Sequence, residues 1–391
     1  MRNPLSDRVT GLAPSGIRKF FDVVQEMPDA ISLGVGEPDF DTPWHIREAG
    51  IHSLQQGKTF YTSNAGLMEL REAICDYTER KIGVSYHPKD EVLVTVGGSE
   101  ALDVALRTML DEGDEVIYHE PCFVSYKPCT VLANGVPVPI ALKEENDFRL
   151  TAEELENAIT EKSKILLLSF PNNPTGAIMD RADLEAIAEV ILRHDLFVIS
   201  DEIYAELSYN EPHVSIASLP GMRERTILIN GFSKSFAMTG WRMGYAMGPK
   251  LIMEQMIKVH QFAIMCAPTT SQYAGVAALR GGDEPIDEMR AAYSQRRNYL
   301  MHMFREELHL PCFEPYGAFY AFPNISEFGM TSEEFATRLL REQKVAVVPG
   351  TAFGDSGEGF IRISYAYSIG ELKEALGRLA IFIETLRKEN A

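Results

Sequence analysis

Lys234 stands between two serines in Asn230-Gly231-Phe232-Ser233-Lys234-Ser235, directly after an apolar run. A partly buried lysine with a cation nearby has its pKa lowered, and Arg242, in the following Met238-Thr239-Gly240-Trp241-Arg242-Met243-Gly244, is a candidate for that cation. Such an amine is a nucleophile suited to Schiff-base chemistry. The plain alternative is a surface lysine in a loop. Asp201 holds a similar place in Ile199-Ser200-Asp201-Glu202-Ile203-Tyr204. An acid at the end of an apolar strand is half-buried and needs a cationic partner, because an unpaired buried charge is costly. An Asp there also serves simply as a cap or turn residue. In Val96-Gly97-Gly98-Ser99-Glu100-Ala101, two glycines separate a strand from a helix. Glycine lets backbone approach a ligand, and the free N–H groups of a helix start attract an anion, with phosphate the natural guess. The segment is neither a Walker loop nor a G-x-G-x-x-G, and Ser99 as an ordinary N-cap explains it without a ligand. In Ser169-Phe170-Pro171-Asn172-Asn173-Pro174-Thr175-Gly176, two prolines and a glycine fix an irregular loop. It either holds Asn173 in one orientation as a donor or is only a turn.

Each segment falls at the end of an expected strand, where open α/β sheets bind their ligands. Short apolar runs predict buried strands at 91–96, 115–118, 164–170, 196–200, 226–230 and 243–247. Helical spacing marks 99–110 and 182–192, the latter with Leu184, Ile187, Ala188 and Ile191 on one face. Thr151 with Glu154 three residues on predicts a capping-box helix start. Strands alternating with helices imply an α/β fold, with a mostly parallel sheet covered by helices on both faces. The last hundred residues read as a smaller α+β unit. A long helix is expected over 285–307, a strand at 318–322, a helix from Ser332, strands at 345–348 and 360–364, and a final helix from Gly370. Gly281, Gly282 and Pro285 cluster at the junction. Pro4, Pro14, Pro28, Pro38 and Pro43 suggest that the N-terminal stretch wraps onto the body. The expected division is an N-terminal segment 1–47 packing with the small domain, a large domain 48–284 and a small domain 285–391.

The bulk numbers exclude several classes of function. The 391 residues are too many for one small core. The net charge of -19, from 37 basic and 56 acidic residues, argues against nucleic acid or an anionic membrane surface as partner, since both reward clustered Lys and Arg. The five cysteines are scattered without a C-x-x-C, so neither a disulfide framework nor a zinc or other metal site is suggested. The polar start, residues 1–10, does not read as a signal peptide, and no apolar run approaches the ~18 residues of a membrane span. A cytoplasmic protein is expected.

Together and in this order, the segments resemble the class I/II aminotransferases of the pyridoxal-phosphate-dependent fold type I superfamily. The strings S-F-P-N-N-P-T-G, S-D-E-I-Y and S-K-S-x-x-x-x-G-W-R-x-G-Y carry the resemblance. It runs from Gly34-Val35-Gly36-Glu37-Pro38-Asp39-Phe40 to Arg362. The resemblance implies that Lys234 holds pyridoxal phosphate as a Schiff base and acts as general base. Asp201 would pair with the pyridinium nitrogen, which is the cation a buried Asp requires. Tyr204 and Asn173 would bond the phenolic oxygen. Gly98, Ser99, Ser233 and Arg242 would bind the phosphate, joined by the backbone of Glu100, whose side chain is an unlikely ligand. Phe123 would lie against the ring face, where many aspartate-type members carry Trp. Phe stacks but offers no indole N–H, which leaves the substrate open.

Arg362, in Phe360-Ile361-Arg362-Ile363-Ser364-Tyr365, matches the arginine that grips the substrate carboxylate, with Gly36 adding a backbone contact and Asn173 alongside. A guanidinium fork suits a carboxylate, and an Arg between isoleucines is hard to explain structurally. Tyr61 would reach the phosphate of a neighbouring subunit, so a homodimer with shared active sites is implied. The implied reaction is ping-pong transfer of an amino group from an L-amino acid, aspartate or aromatic, to a 2-oxo acid such as 2-oxoglutarate. Two other readings share these residues. One is a β-lyase, which would release pyruvate from cysteine-type substrates without an added oxo acid. The other is a non-enzymatic effector domain, which would need a DNA-binding module upstream.

Overall fold

Alternate side chains of the Ser163–Ser169 strand enter two different cores. Ile165 and Leu167 pack with Leu102 and Ile199, whereas Leu166 and Leu168 pack with Leu184 and Val198. Burial on both faces is the property of a strand inside a covered sheet, and each such aliphatic side chain contributes roughly 1.5–3 kcal/mol. The computed structural model describes residues 2–14, 16, 27 and 29–389. Pro28 and residues 17–26 of the expected N-terminal wrap lie outside the described residues.

In chain order the strands are β1 (Ile31–Ser32), β2 (Val92–Thr95), β3 (Glu115–Glu120), β4 (Val136–Ala141), β5 (Ser163–Ser169), β6 (Phe197–Asp201), β7 (Thr226–Gly231) and β8 (Gly244–Met247). Strands β2 to β8 form one seven-stranded sheet in the order β2-β8-β7-β6-β5-β3-β4. Only β8 runs antiparallel to its neighbours, so its amino end lies beside the carboxyl ends of the others. The six sequence-predicted strands are all present, with ends shifted by a residue or two. Strand β4 was not expected. Its Val-Pro-Val-Pro pattern looks unlike a strand, because Pro137 and Pro139 cannot donate to a ladder. It sits at the sheet edge and pairs with β3 alone.

The Gly97–Met109 and Arg181–Arg193 helices lie where helical spacing placed them. Thr151 forms the expected capping box with Glu154 at the start of the Ala152–Ala158 helix. Towards the C-terminus come β9 (Tyr320–Ala321), β10 (Val345–Ala346), β11 (Val348–Pro349) and β12 (Ile361–Ser364). The single strand expected at 345–348 is therefore two. Strand β10 pairs in parallel with β1, while β11 joins β12 and β9 in a separate sheet. Residues 345–348 are all buried, so the sequence shows no alternation where the partner changes. The long helix expected over 285–307 is α-helical over Glu284–His302 and closes in a π-helical turn, Met303–Glu307. No helix among the described residues is long and apolar enough to cross a membrane.

Candidate active site

A cavity of about 340 Å³ opens at the carboxyl ends of β5, β6 and β7. Eleven residues singled out in the sequence line it: Gly36, Gly98, Ser99, Phe123, Asn173, Asp201, Tyr204, Ser233, Lys234, Arg242 and Arg362. They come from seven separate stretches of chain. Strand ends supply most of them, and the antiparallel turn into β8 delivers Arg242. Two residues named for the site do not line this cavity, and one of them, Tyr61, was expected to act at a neighbouring subunit's site. Tyr61 is 82% exposed on the outer surface. The Glu100 carboxylate instead accepts from the Val96 N–H at 2.5 Å and lies 2.7 Å from His260 Nδ1. The pull of a buried histidine 160 positions away turns that side chain from the anion-facing helix end.

Lys234 follows β7, flanked by the buried Phe232 and Phe236. Its ammonium donates to the Gly36 carbonyl. Burial is the main reason its pKa falls to about 8, with Arg362 and Arg242 adding to the fall and Glu37 opposing it. The cation expected from sequence was Arg242, yet desolvation outweighs both arginines. Asp201 ends β6, where Oδ2 accepts from the Tyr126 hydroxyl at 2.9 Å and Oδ1 from the Ile203 N–H at 3.2 Å. Burial raises it to about 6 despite these two bonds. The expected cationic partner is not supplied by the described residues, for Asp201 is held by neutral donors alone.

Arg362 sits on β12 and is 2% exposed. Its Nη1 donates to Asn173 Oδ1 at 2.8 Å and its Nη2 to the Gly34 carbonyl at 2.5 Å. Its Nε is buried without a partner. The guanidinium lies against the rings of Tyr320 and Phe353, 4.4 and 4.7 Å from their centroids. No acid among the described residues pairs with it, and burial lowers its pKa. Asn173 thus spends its oxygen on Arg362, leaving its amide group as the donor. Tyr204 places its hydroxyl 2.7 Å from that of Tyr320.

The opposite end of the cavity is built for an anion. Gly98 and Ser99 open the Gly97–Met109 helix, which has no side-chain N-cap, so its first N–H groups are free. Arg242, in left-handed conformation at φ 52°, closes this end. Gly97 has φ +76°, and a Cβ there would come within 2.5 Å of Arg242 Nη2. Phe123 stands edge-on to Tyr126 with ring centroids 5.8 Å apart. Sequence reasoning passed over Tyr126, Tyr320, Glu37, Ser169 and Thr239, which also line the cavity. An aromatic in an apolar run reads as core, and only its contacts show otherwise. No group of three or more His, Cys, Asp or Glu among the described residues is arranged to hold a metal ion.

Comparison with known proteins decides the family. Residues 28–379 match the model of aminotransferase class I and II. The chain belongs to this family. It is a transaminase, and the family is known to use pyridoxal phosphate. The chain is 48% identical to the aspartate aminotransferase of Pyrococcus abyssi, across 96% of this chain and 97% of that protein. It is 45% identical to aromatic-amino-acid aminotransferase 2 of Thermococcus litoralis, with the same coverage of both chains. The solved aromatic aminotransferase of Pyrococcus horikoshii superposes with a TM-score of 0.90 at 44% identity, covering 94% of this chain and 99% of that one. The aminotransferase thus has the fold type I architecture expected from sequence. Its near-equal likeness to aspartate and aromatic enzymes leaves the substrate side chain to be argued from the cavity.

Proposed function

We propose that this aminotransferase moves the amino group of an aspartate-type or aromatic L-amino acid to a 2-oxo acid, foremost 2-oxoglutarate, with pyridoxal phosphate held on Lys234. The observation that carries this reading is Arg362. A buried guanidinium without an acid is costly to keep, and here it opens onto the same cavity as a lysine of lowered pKa. A substrate carboxylate would complete it. The remaining residues fit the cofactor. Asp201 is a half-buried carboxylate with no cationic partner among the described residues, which suits a protonated ring nitrogen. The Gly97 cradle, the free helix N–H groups, Ser233 and Arg242 suit a phosphate.

When bound, pyridoxal phosphate supplies an aldehyde carbon that condenses with amines and a ring that accepts electrons released at the substrate Cα. The protein's residues do the rest. Arg362 and the Gly36 N–H orient the α-carboxylate, which places the Cα proton near Lys234. The neutral Lys234 amine takes that proton. Tyr204 and the Asn173 amide would hold the cofactor's phenolic oxygen by donating to it, and Phe123 would hold its ring. One carboxylate grip must serve donor and acceptor in turn, so ping-pong kinetics follow. Tyr61, with Phe60 at 80% and Phe262 at 84% exposure, belongs to a surface suited to a second copy of the chain. There it would reach the partner's phosphate site, completing a homodimer. The division at 47 and 284 remains our reading, supported by the pairing of β1 with β10.

A half-reaction screen tests the assignment. Each amino acid is mixed with cofactor-loaded protein, and release of its 2-oxo acid is measured without added acceptor. Aspartate or the aromatic amino acids are expected to react fastest; no stoichiometric release from any amino acid would overturn the reading. The pH profile has a defined sign. A lysine near 8 is an active base only when neutral, so the donor half-reaction at saturating substrate rises up to about pH 8 and then levels. Burial raises Asp201 to about 6 in the cofactor-free protein, and a protonated ring nitrogen beside it would bring that value down, so its protonation adds no further loss between pH 6 and 8. A flat profile between these values contradicts the role of Lys234. The cradle is tested with Gly97→Ala, whose Cβ meets Arg242 at a positive φ. It is expected to weaken cofactor affinity by about tenfold or more, measured as Kd on the cofactor-free protein.

A further inference from the structure

Tyr320 touches both functional ends of the substrate side of the cavity, and none of the roles above uses it. It lies on β9 and is 1% exposed, so it offers little surface to a ligand. Its hydroxyl is 2.7 Å from that of Tyr204. Its ring lies against the Arg362 guanidinium, 4.4 Å from centroid to carbon. A Cβ at position 36 would sit on its hydroxyl, so Gly36 packs against the same group. Among the described residues Arg362 is otherwise held by the Phe353 ring and by neutral acceptors, Asn173 Oδ1 and the Gly34 carbonyl. Its charge is therefore uncancelled while the site awaits a carboxylate.

We infer that Tyr320 is a positioning residue that couples the carboxylate grip to the phenolic-oxygen donor, its ring holding Arg362 and its hydroxyl holding Tyr204. The physical link is electrostatic. An uncancelled guanidinium polarises the Tyr320 O–H to donate to Tyr204, and chained hydrogen bonds reinforce one another. The Tyr204 O–H is then free to donate to the cofactor's phenolic oxygen and favours its ionised form. A carboxylate on Arg362 cancels the field, Tyr320 donates less strongly, and Tyr204 is drawn back towards it. By linkage, the protonation state of the cofactor chromophore and the affinity for a carboxylate affect each other by the same factor. Asn173 offers a second, parallel route from Arg362.

The inference rests on the cofactor reading above, and the test separates the two. The visible absorbance of the cofactor-loaded protein is titrated against pH with and without maleate, a dicarboxylate lacking an amino group. Wild type is expected to show an upward shift of the pH midpoint on maleate binding. Tyr320→Phe keeps the ring on Arg362 and removes the hydroxyl. It is expected to lose at least half of the shift while maleate affinity changes by less than about threefold. Tyr204→Phe should lose a similar share, and the double variant no more than either alone. Tyr320→Leu, which removes the ring, is expected to weaken maleate binding by about tenfold. A full shift in Tyr320→Phe, or additive losses in the double variant, overturns the coupling. A merely structural Tyr320 would lower stability and cofactor content yet leave the shift intact. Absence of any cofactor absorbance in wild type would overturn the coupling and the cofactor reading together.

Discussion

Replacing Lys234 with alanine is expected to lower kcat/KM by about 10⁴-fold or more, because one amine serves both to hold the cofactor and to move the Cα proton. Loss of a positioned general base alone costs about 10²–10⁴-fold, and loss of the nucleophile adds to that. The amine is tuned by its surroundings. Burial brings it to about 8, so a useful fraction is neutral near neutral pH, whereas an exposed lysine near 10.4 is almost wholly charged. Lys234→Arg should be equally inactive, since guanidinium remains protonated. The phosphate contacts are separate from Lys234, so the alanine variant should still bind pyridoxal phosphate, now released by dialysis and not fixed by borohydride reduction. Added small amines such as methylamine should restore part of the activity by filling the vacated volume. Turnover within tenfold of wild type would remove Lys234 from the mechanism.

The residues most legible in the sequence were charges that the fold gives no reason to keep. Asp201, Lys234 and Arg362 each adjoin apolar strands, and the structure brings all three to one cavity. Their legibility follows from the cost of burying charge. Tyr126 and Tyr320 carry no such mark. Their rings are compatible with core, and only their hydroxyl contacts to Asp201 and Tyr204 distinguish them. Side-chain direction was equally hidden. Glu100 was expected to serve through its backbone alone, and its carboxylate is taken up by the Val96 N–H and by His260, a partner 160 positions away that spacing does not reveal. The sheet was legible where strands are buried on both faces, because such strands are continuous apolar runs. Strand β4 escaped because an edge tolerates prolines that an interior strand cannot.

Arg362 gives the second large effect and the sharpest test of what the cavity binds. Among the described residues its Nη groups are engaged by neutral acceptors and its Nε has no partner, so a carboxylate would be the first acid beside it. Removing one member of a buried, hydrogen-bonded charge pair costs about 2–5 kcal/mol, and a cost of about 4 kcal/mol within that range is a loss of about 10³-fold in kcat/KM. Arg362→Lys is expected to fall nearly as far, because a point charge cannot reproduce two parallel bonds. Arg362→Met should lose specificity along with rate. Wild type should prefer phenylalanine over 2-phenylethylamine, which lacks the carboxylate, by about the same 10³-fold, and the variant should show almost no preference. Equal discrimination in both proteins would place the carboxylate elsewhere. Stability should move in the other direction. The guanidinium is desolvated without a counter-charge, so replacing it with an apolar chain of similar length removes an unpaired buried charge. The Tm of the cofactor-free Arg362→Met protein should therefore equal or exceed that of wild type, while the catalytic loss remains. That combination is the signature of a residue kept for its ligand and not for its fold.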